Sequence, residues 1–132
     1  MTKKIRLLIT LAASALILSV SSCTSVPEEI PEMTSQELIQ HGQSCFESAN
    51  YKGALTYFNT AIERFNDWPN VYIEARYEIG HVYMKQKKYT QAEPIFNELL
   101  ELYKNSTPGT YPAAYRKLAE IELAKIPHKT AK

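Results

Sequence analysis

This chain of 132 residues is poor in the residue types that carry chemistry. It has two cysteines, Cys23 and Cys45, three histidines and one tryptophan. No glycine-rich phosphate loop, H-E-x-x-H or C-x-x-C occurs, so the signatures of nucleotide cradles, zinc hydrolases and dithiol sites are missing. Excess charge is scarce as well. Lys and Arg number 15 against 14 Asp and Glu, without a basic stripe, which leaves no electrostatic footprint for nucleic acid. The longest uncharged apolar run, Leu7 to Val20, has 14 residues. A membrane-spanning helix needs roughly 20. Glycine appears only four times, which makes the position of each one informative.

What is present begins with the front end. Lys3, Lys4 and Arg6 form a positive region ahead of the apolar run, and small polar Ser21 and Ser22 precede Cys23. A run of this length between such flanks suits a signal peptide. Val20-Ser21-Ser22-Cys23 resembles the lipobox of bacterial lipoproteins, although serine replaces the commoner small and apolar residues in the middle. The resemblance implies removal of residues 1–22 and lipidation of Cys23. Two or more acyl chains give stable membrane attachment, where one gives only weak binding. Thr24 follows, and the lack of Asp there implies sorting to the outer membrane, facing the periplasm.

Loss of Lys3, Lys4 and Arg6 moves the formal net charge from +1 to −2. The remaining length suits one domain of modest stability. With Cys23 acylated, Cys45 is the only thiol left, and no intrachain disulfide is expected. Residues 23–33, with Pro27, Pro31 and three glutamates, read as a lipidated cysteine and an extended tether. Residues 34–127 form the expected domain, and 128–132 a polar tail.

Inside that domain one pattern occurs twice. Gly42, Tyr51, Ala54, Phe58 and Ala61 recur 38 positions later as Gly80, Tyr89, Ala92, Phe96 and Leu99. A fixed period of this kind marks a repeat architecture in which each unit buries its apolar face on the next. Thr34-Ser35-Gln36-Glu37 is a capping box that opens the first helix. Asn50 breaks the pattern before the second helix, and Trp68-Pro69-Asn70 separates the units. Gly42 and Gly80, opposite Ala54 and Ala92, are expected to let paired helices approach, with Phe58 and Phe96 filling the groove beside them. Thr90 and Glu93 suggest a second capping box, which would leave Pro94 at an irregular but unbroken helix start. A last helix is expected from Thr110 or Tyr111, with Pro112 in its first turn, ending before Pro127. In it Ala119 takes the phase of the two glycines, 39 residues past Gly80.

These residues resemble the tetratricopeptide repeat pattern over roughly Ser35 to Ser106, with the longer period seen in bacterial envelope lipoproteins. Leu38 and Arg76 replace the favoured Trp, Cys45 replaces an aromatic, and the closing proline of the repeat is absent from both copies. The resemblance implies an all-α fold: antiparallel helix-turn-helix repeats in a short right-handed solenoid of two repeats plus a capping helix. It also implies a partner-binding groove lined by the first helix of each unit. Carried over by phase, that groove comprises Ile39, Gln43, Phe46, Glu47, Tyr77, His81, Met84, Lys85, Arg116 and Glu120.

Other site candidates are weaker. Glu37, His41 and Cys45 share one helix face, but ligands side by side on one helix close a tetrahedral metal site poorly. The same spacing describes a buried stripe. No catalytic residues, metal site or cofactor are expected. The expected function is a membrane-tethered interaction scaffold that holds a protein or peptide in the bacterial envelope. The alternative is a small-ligand or transporter-accessory lipoprotein using an aromatic groove. Homodimerisation is an open third arrangement, because two and a half repeats make a short groove.

Overall fold

The computed structural model describes residues 25–127. The signal peptide, Cys23 with its lipidation, and the polar tail lie outside these residues. Five helices follow one another: α1 (Ser35–Glu47), α2 (Tyr51–Arg64), α3 (Pro69–Lys85), α4 (Tyr89–Asn105) and α5 (Ala113–Ala124). Among the described residues there are no strands, and no helix is long and apolar enough to cross a membrane. The all-α repeat architecture is thus as the sequence implies. α1 packs mainly on α2, α3 on α4, and each pair leans on its successor through α2 against α3 and α4 against α5.

Local chemistry sets the helix ends. Thr34 caps α1 as expected: its hydroxyl accepts from the Glu37 amide at 3.3 Å, and the Glu37 carboxylate accepts from the Thr34 amide at 2.8 Å. These bonds to Thr34 hold the Glu37 carboxyl below the usual carboxylate range. Asn50 is itself the cap of α2, with its side-chain oxygen accepting from the Gly53 amide at 3.0 Å. Pro69 opens α3 at its first position, where a missing N–H costs little.

Two expected starts move. α4 begins at Tyr89, ahead of Thr90, and has no side-chain cap, so the Thr90–Glu93 box does not form. Pro94 therefore lies deeper inside α4, which nevertheless runs unbroken. α5 starts at Ala113 with Pro112 as its cap residue, and neither Thr110 nor Tyr111 caps it.

The turn within each pair is the same turn. Ala49 and Lys87, 38 positions apart, both adopt left-handed backbone, with φ of 60° and 58°. In each, the following amide reaches five residues back, from Asn50 to the Cys45 carbonyl at 2.8 Å and from Lys88 to the Tyr83 carbonyl at 2.9 Å. This closes the helix C-terminus in the manner usually favoured by glycine.

The glycines hold the pairs together at equivalent points. A Cβ on Gly42 would stand 2.4 Å from Cε1 of Phe58, and one on Gly80 would stand 2.8 Å from Cε1 of Phe96. Phe58 and Phe96 are fully buried, and each ring lies directly on its glycine instead of in a groove beside it. A third contact joins α3 to α4: Glu98 accepts hydrogen bonds from the Tyr72 hydroxyl and the Arg76 guanidinium. Burial and the Glu98 carboxylate push the Tyr72 hydroxyl above the ordinary phenol range.

Two cores result. The first gathers Leu38, Cys45, Ala54, Phe58, Ala61 and Val82, and the second Ile73, Tyr77, Phe96, Leu99 and Ala119. Tyr83 packs against both. Cys45 is fully buried and is disulfide-bonded, contrary to the expectation of a lone thiol; its partner lies outside the described residues. Ala119 is fully buried, whereas Leu118, 38 positions past Gly80, is 37% exposed.

The stretch read as an extended spacer lies against the first unit. Val26, Ile30 and Met33 pack on the first core, and a Cβ on Gly53 would meet Cγ2 of Val26 at 2.8 Å. The Arg64 guanidinium donates to the carbonyls of Pro31 and Ile30, both at 2.6 Å.

Candidate functional site: the face of α1, α3 and α5

The first helices of successive units meet one another along one face. From α1 to α3 the Gln43 amide donates to the Glu78 carboxylate at 3.0 Å, and Phe46 sets its ring edge-to-face against His81 at 5.1 Å between centroids. From α3 to α5 the rings of Tyr77 and Tyr115 lie 5.4 Å apart. Tyr77 and His81, one turn apart on α3, contact at 5.8 Å. A ladder of four rings therefore crosses the three helices: Phe46, His81, Tyr77 and Tyr115. Aromatic side chains of this kind are enriched at interface cores.

Carboxylates flank the ladder. Glu74 and Glu78 project from α3 one turn apart and are half-buried. Burial raises the Glu78 carboxyl above its ordinary value, against the opposing effects of the Gln43 hydrogen bond and His81. Burial, with Glu122 and Glu78 nearby, pushes the Tyr77 hydroxyl up to about 12. Tyr115 is raised further by burial and then by Glu74, so both phenols stay neutral and available as donors at physiological pH. Glu122 on α5 is nearly buried and is answered by Lys125 at 2.7 Å.

The ten groove residues separate into groups. Gln43, Phe46, Tyr77 and His81 are brought together as described. Met84 is half-buried on the same helix as His81, and Glu47 and Lys85 are exposed near the helix ends. Arg116 and Glu120 pair with each other on α5 at 3.5 Å. Ile39 is 2% exposed and belongs to the first core, so it offers nothing to a partner. Tyr77 is 6% exposed and belongs to the second core, so it supports the ladder from beneath. Phase alone missed Glu78 and Tyr115, whose contacts with Gln43 and Tyr77 make the seam between helices.

No group of three or more His, Cys, Asp or Glu able to hold a metal ion occurs among the described residues. The Glu37–His41–Cys45 stripe resolves into separate duties. Glu37 caps α1, His41 stacks on Tyr57 at 5.2 Å and Cys45 is in the core.

The spacing of paired helices and the glycine–phenylalanine lock in each unit agree with the match of residues 46–118 to the model of the Tetratricopeptide repeat. The chain belongs to the tetratricopeptide repeat family. Domains of this family are in general protein–protein interaction modules. The chain is also 31% identical over 111 residues to an uncharacterized protein of Treponema pallidum (strain Nichols). That alignment covers 81% of this chain and 44% of the relative, so the chain spans less than half of the relative's length. No solved structure matches the chain.

Proposed function

We propose that this tetratricopeptide repeat protein is a lipid-anchored adaptor of the bacterial envelope, holding a protein partner on its α1–α3–α5 face during assembly or secretion. The observation that carries the reading is the aromatic ladder from Phe46 to Tyr115, continuous across all three first helices and flanked by polar groups. Such a surface combines apolar area with hydrogen-bonding edges, the combination that partner interfaces concentrate at their centres. Anchoring rests on the charged region, the apolar run and Cys23 in the sequence. Attachment at the outer membrane, facing the periplasm, follows from Thr24 after that cysteine.

A photoreactive residue at Met84 tests partner holding in cells. A discrete protein adduct is expected. Absence of any adduct, with a co-purifying small molecule in its place, replaces the adaptor with a ligand-binding accessory; an adduct of twice the chain mass identifies a homodimer. Anchoring is tested by fatty-acid labelling of the natural chain and of Cys23→Ala. Labelling should vanish in the variant, and persistent labelling would refute the anchor. The Cys23 sulfur can carry a thioether-linked lipid or a disulfide but not both, so intact mass under non-reducing conditions reads the same question independently.

A further inference from the structure

Four carboxylates of the described surface are ion-paired. Glu98 is held by Arg76, Glu101 by Lys104, Glu120 by Arg116 and Lys117, and Glu122 by Lys125. Others, such as Glu47, Glu63 and Asp67, are unpaired but exposed to water, whereas Glu74 and Glu78 are unpaired and half-buried. Among the described residues neither makes an ion pair; the Gln43 amide donates to Glu78, and Glu74 faces the Tyr115 hydroxyl. Both carboxylates sit beside the ring ladder, half-buried, where the surrounding protein weakens hydration and no ion pair compensates for it.

We infer that this face receives a partner segment carrying arginine or lysine, with its cationic head between Glu74 and Glu78 and its stem across Phe46, His81 and Met84. The inference rests on the adaptor reading and adds the chemistry of the partner. Charge complementarity supports it from two sides. A cation supplies the missing ion pair to carboxylates already held in place by Gln43 and Tyr115. An acidic segment, a phosphorylated peptide or a free C-terminus would bring like charge to the same spot. The rings add a second source of selectivity. Arginine stacks its planar head on aromatic faces, and both basic side chains lay their methylene stems along apolar surface. The one-turn spacing of Glu74 and Glu78 suits a forked head bridging both carboxylates.

The test uses the full chain in nonionic detergent with two fluorescent probes, hexa-arginine and hexa-glutamate peptides. Hexa-arginine should bind saturably and shift the side-chain amide resonances of Gln43, and hexa-glutamate should not bind. Glu74→Gln with Glu78→Gln should weaken hexa-arginine binding roughly tenfold, as expected for loss of charge-assisted hydrogen bonds. The same change in net charge made elsewhere, Glu63→Gln with Glu93→Gln, should weaken it less than twofold. Equal weakening by both pairs, or no shift at Gln43, would overturn the inference, because binding would then follow overall charge and not this face. An adduct from Met84 in cells that survives Glu74→Gln with Glu78→Gln unchanged would also overturn it while leaving the adaptor reading intact. Loss of every adduct from the natural chain would sink the adaptor reading instead.

Discussion

Alanine at Gly42 probes the contact on which the first helix pair is built. The added Cβ would stand 2.4 Å from Cε1 of Phe58 and 2.7 Å from Cδ1 of the same ring. Ordinary contact requires the ring to retreat by about 1 Å, and a fully buried side chain in a close-packed core has nowhere empty to go. Overpacking of this kind costs about 1–3 kcal/mol, and the severity of the clash points to the upper end. Alanine recovers about 1 kcal/mol of helix propensity. The net loss should be about 2 kcal/mol, or roughly 8–16 °C in Tm for a domain of this size. Gly80→Ala, with its nearest approach at 2.8 Å, should lose about half as much. Thermal and urea unfolding of the two variants measure this, and Gly42→Ala combined with Phe58→Leu should recover part of the loss. Were Gly42→Ala neutral or stabilising, helix propensity would outweigh ring packing, and the glycine–phenylalanine lock would not be the reason for the repeat.

The remaining predictions concern the N-terminal strap and the half-buried carboxylate of Glu78. Arg64→Ala removes both hydrogen bonds to the carbonyls of Ile30 and Pro31, so amide exchange across residues 26–33 should accelerate severalfold while exchange in α3 and α4 stays unchanged. Unchanged exchange in 26–33 would show that Val26, Ile30 and Met33 hold the strap unaided. Glu78→Gln should raise Tm at neutral pH, since it keeps the bond to Gln43 and removes a charge that burial disfavours. The sign follows from the raised value in the folded state: the native chain binds this proton more tightly than the unfolded chain does. The penalty is therefore fully present above the folded value, shrinks as pH falls through it and is gone only below the ordinary carboxylate range, so the variant's advantage should vanish there. An advantage that is independent of pH would refute burial as its cause.

The helices were legible because their determinants are local and recur. Thr34 and Glu37 lie three residues apart, and Gly42 and Gly80 stand at one phase of a visible period. What escaped depends on distant partners. Val26, Ile30 and Met33 are scattered among prolines and glutamates, with no period to mark them, and the first core, Gly53 and Arg64 give them a seat. Thr90 and Glu93 satisfy a capping rule on paper, yet the turn at Lys87 starts α4 before the rule can apply. Phase placed Ile39 on the groove, but the side chain is taken up by the first core. The importance of Glu78 comes from Gln43, which the fold brings across 35 residues.

Among the described residues, Tyr83 is the one ring that packs against both cores. In a linear array, stability is divided between the units and the seams joining them. A side chain wedged across the seam makes the second pair sense any loosening of the first. Melting should consequently spread from one pair to the next as a single event, and the short solenoid behaves as one mechanical body despite being assembled from two copies of the same motif.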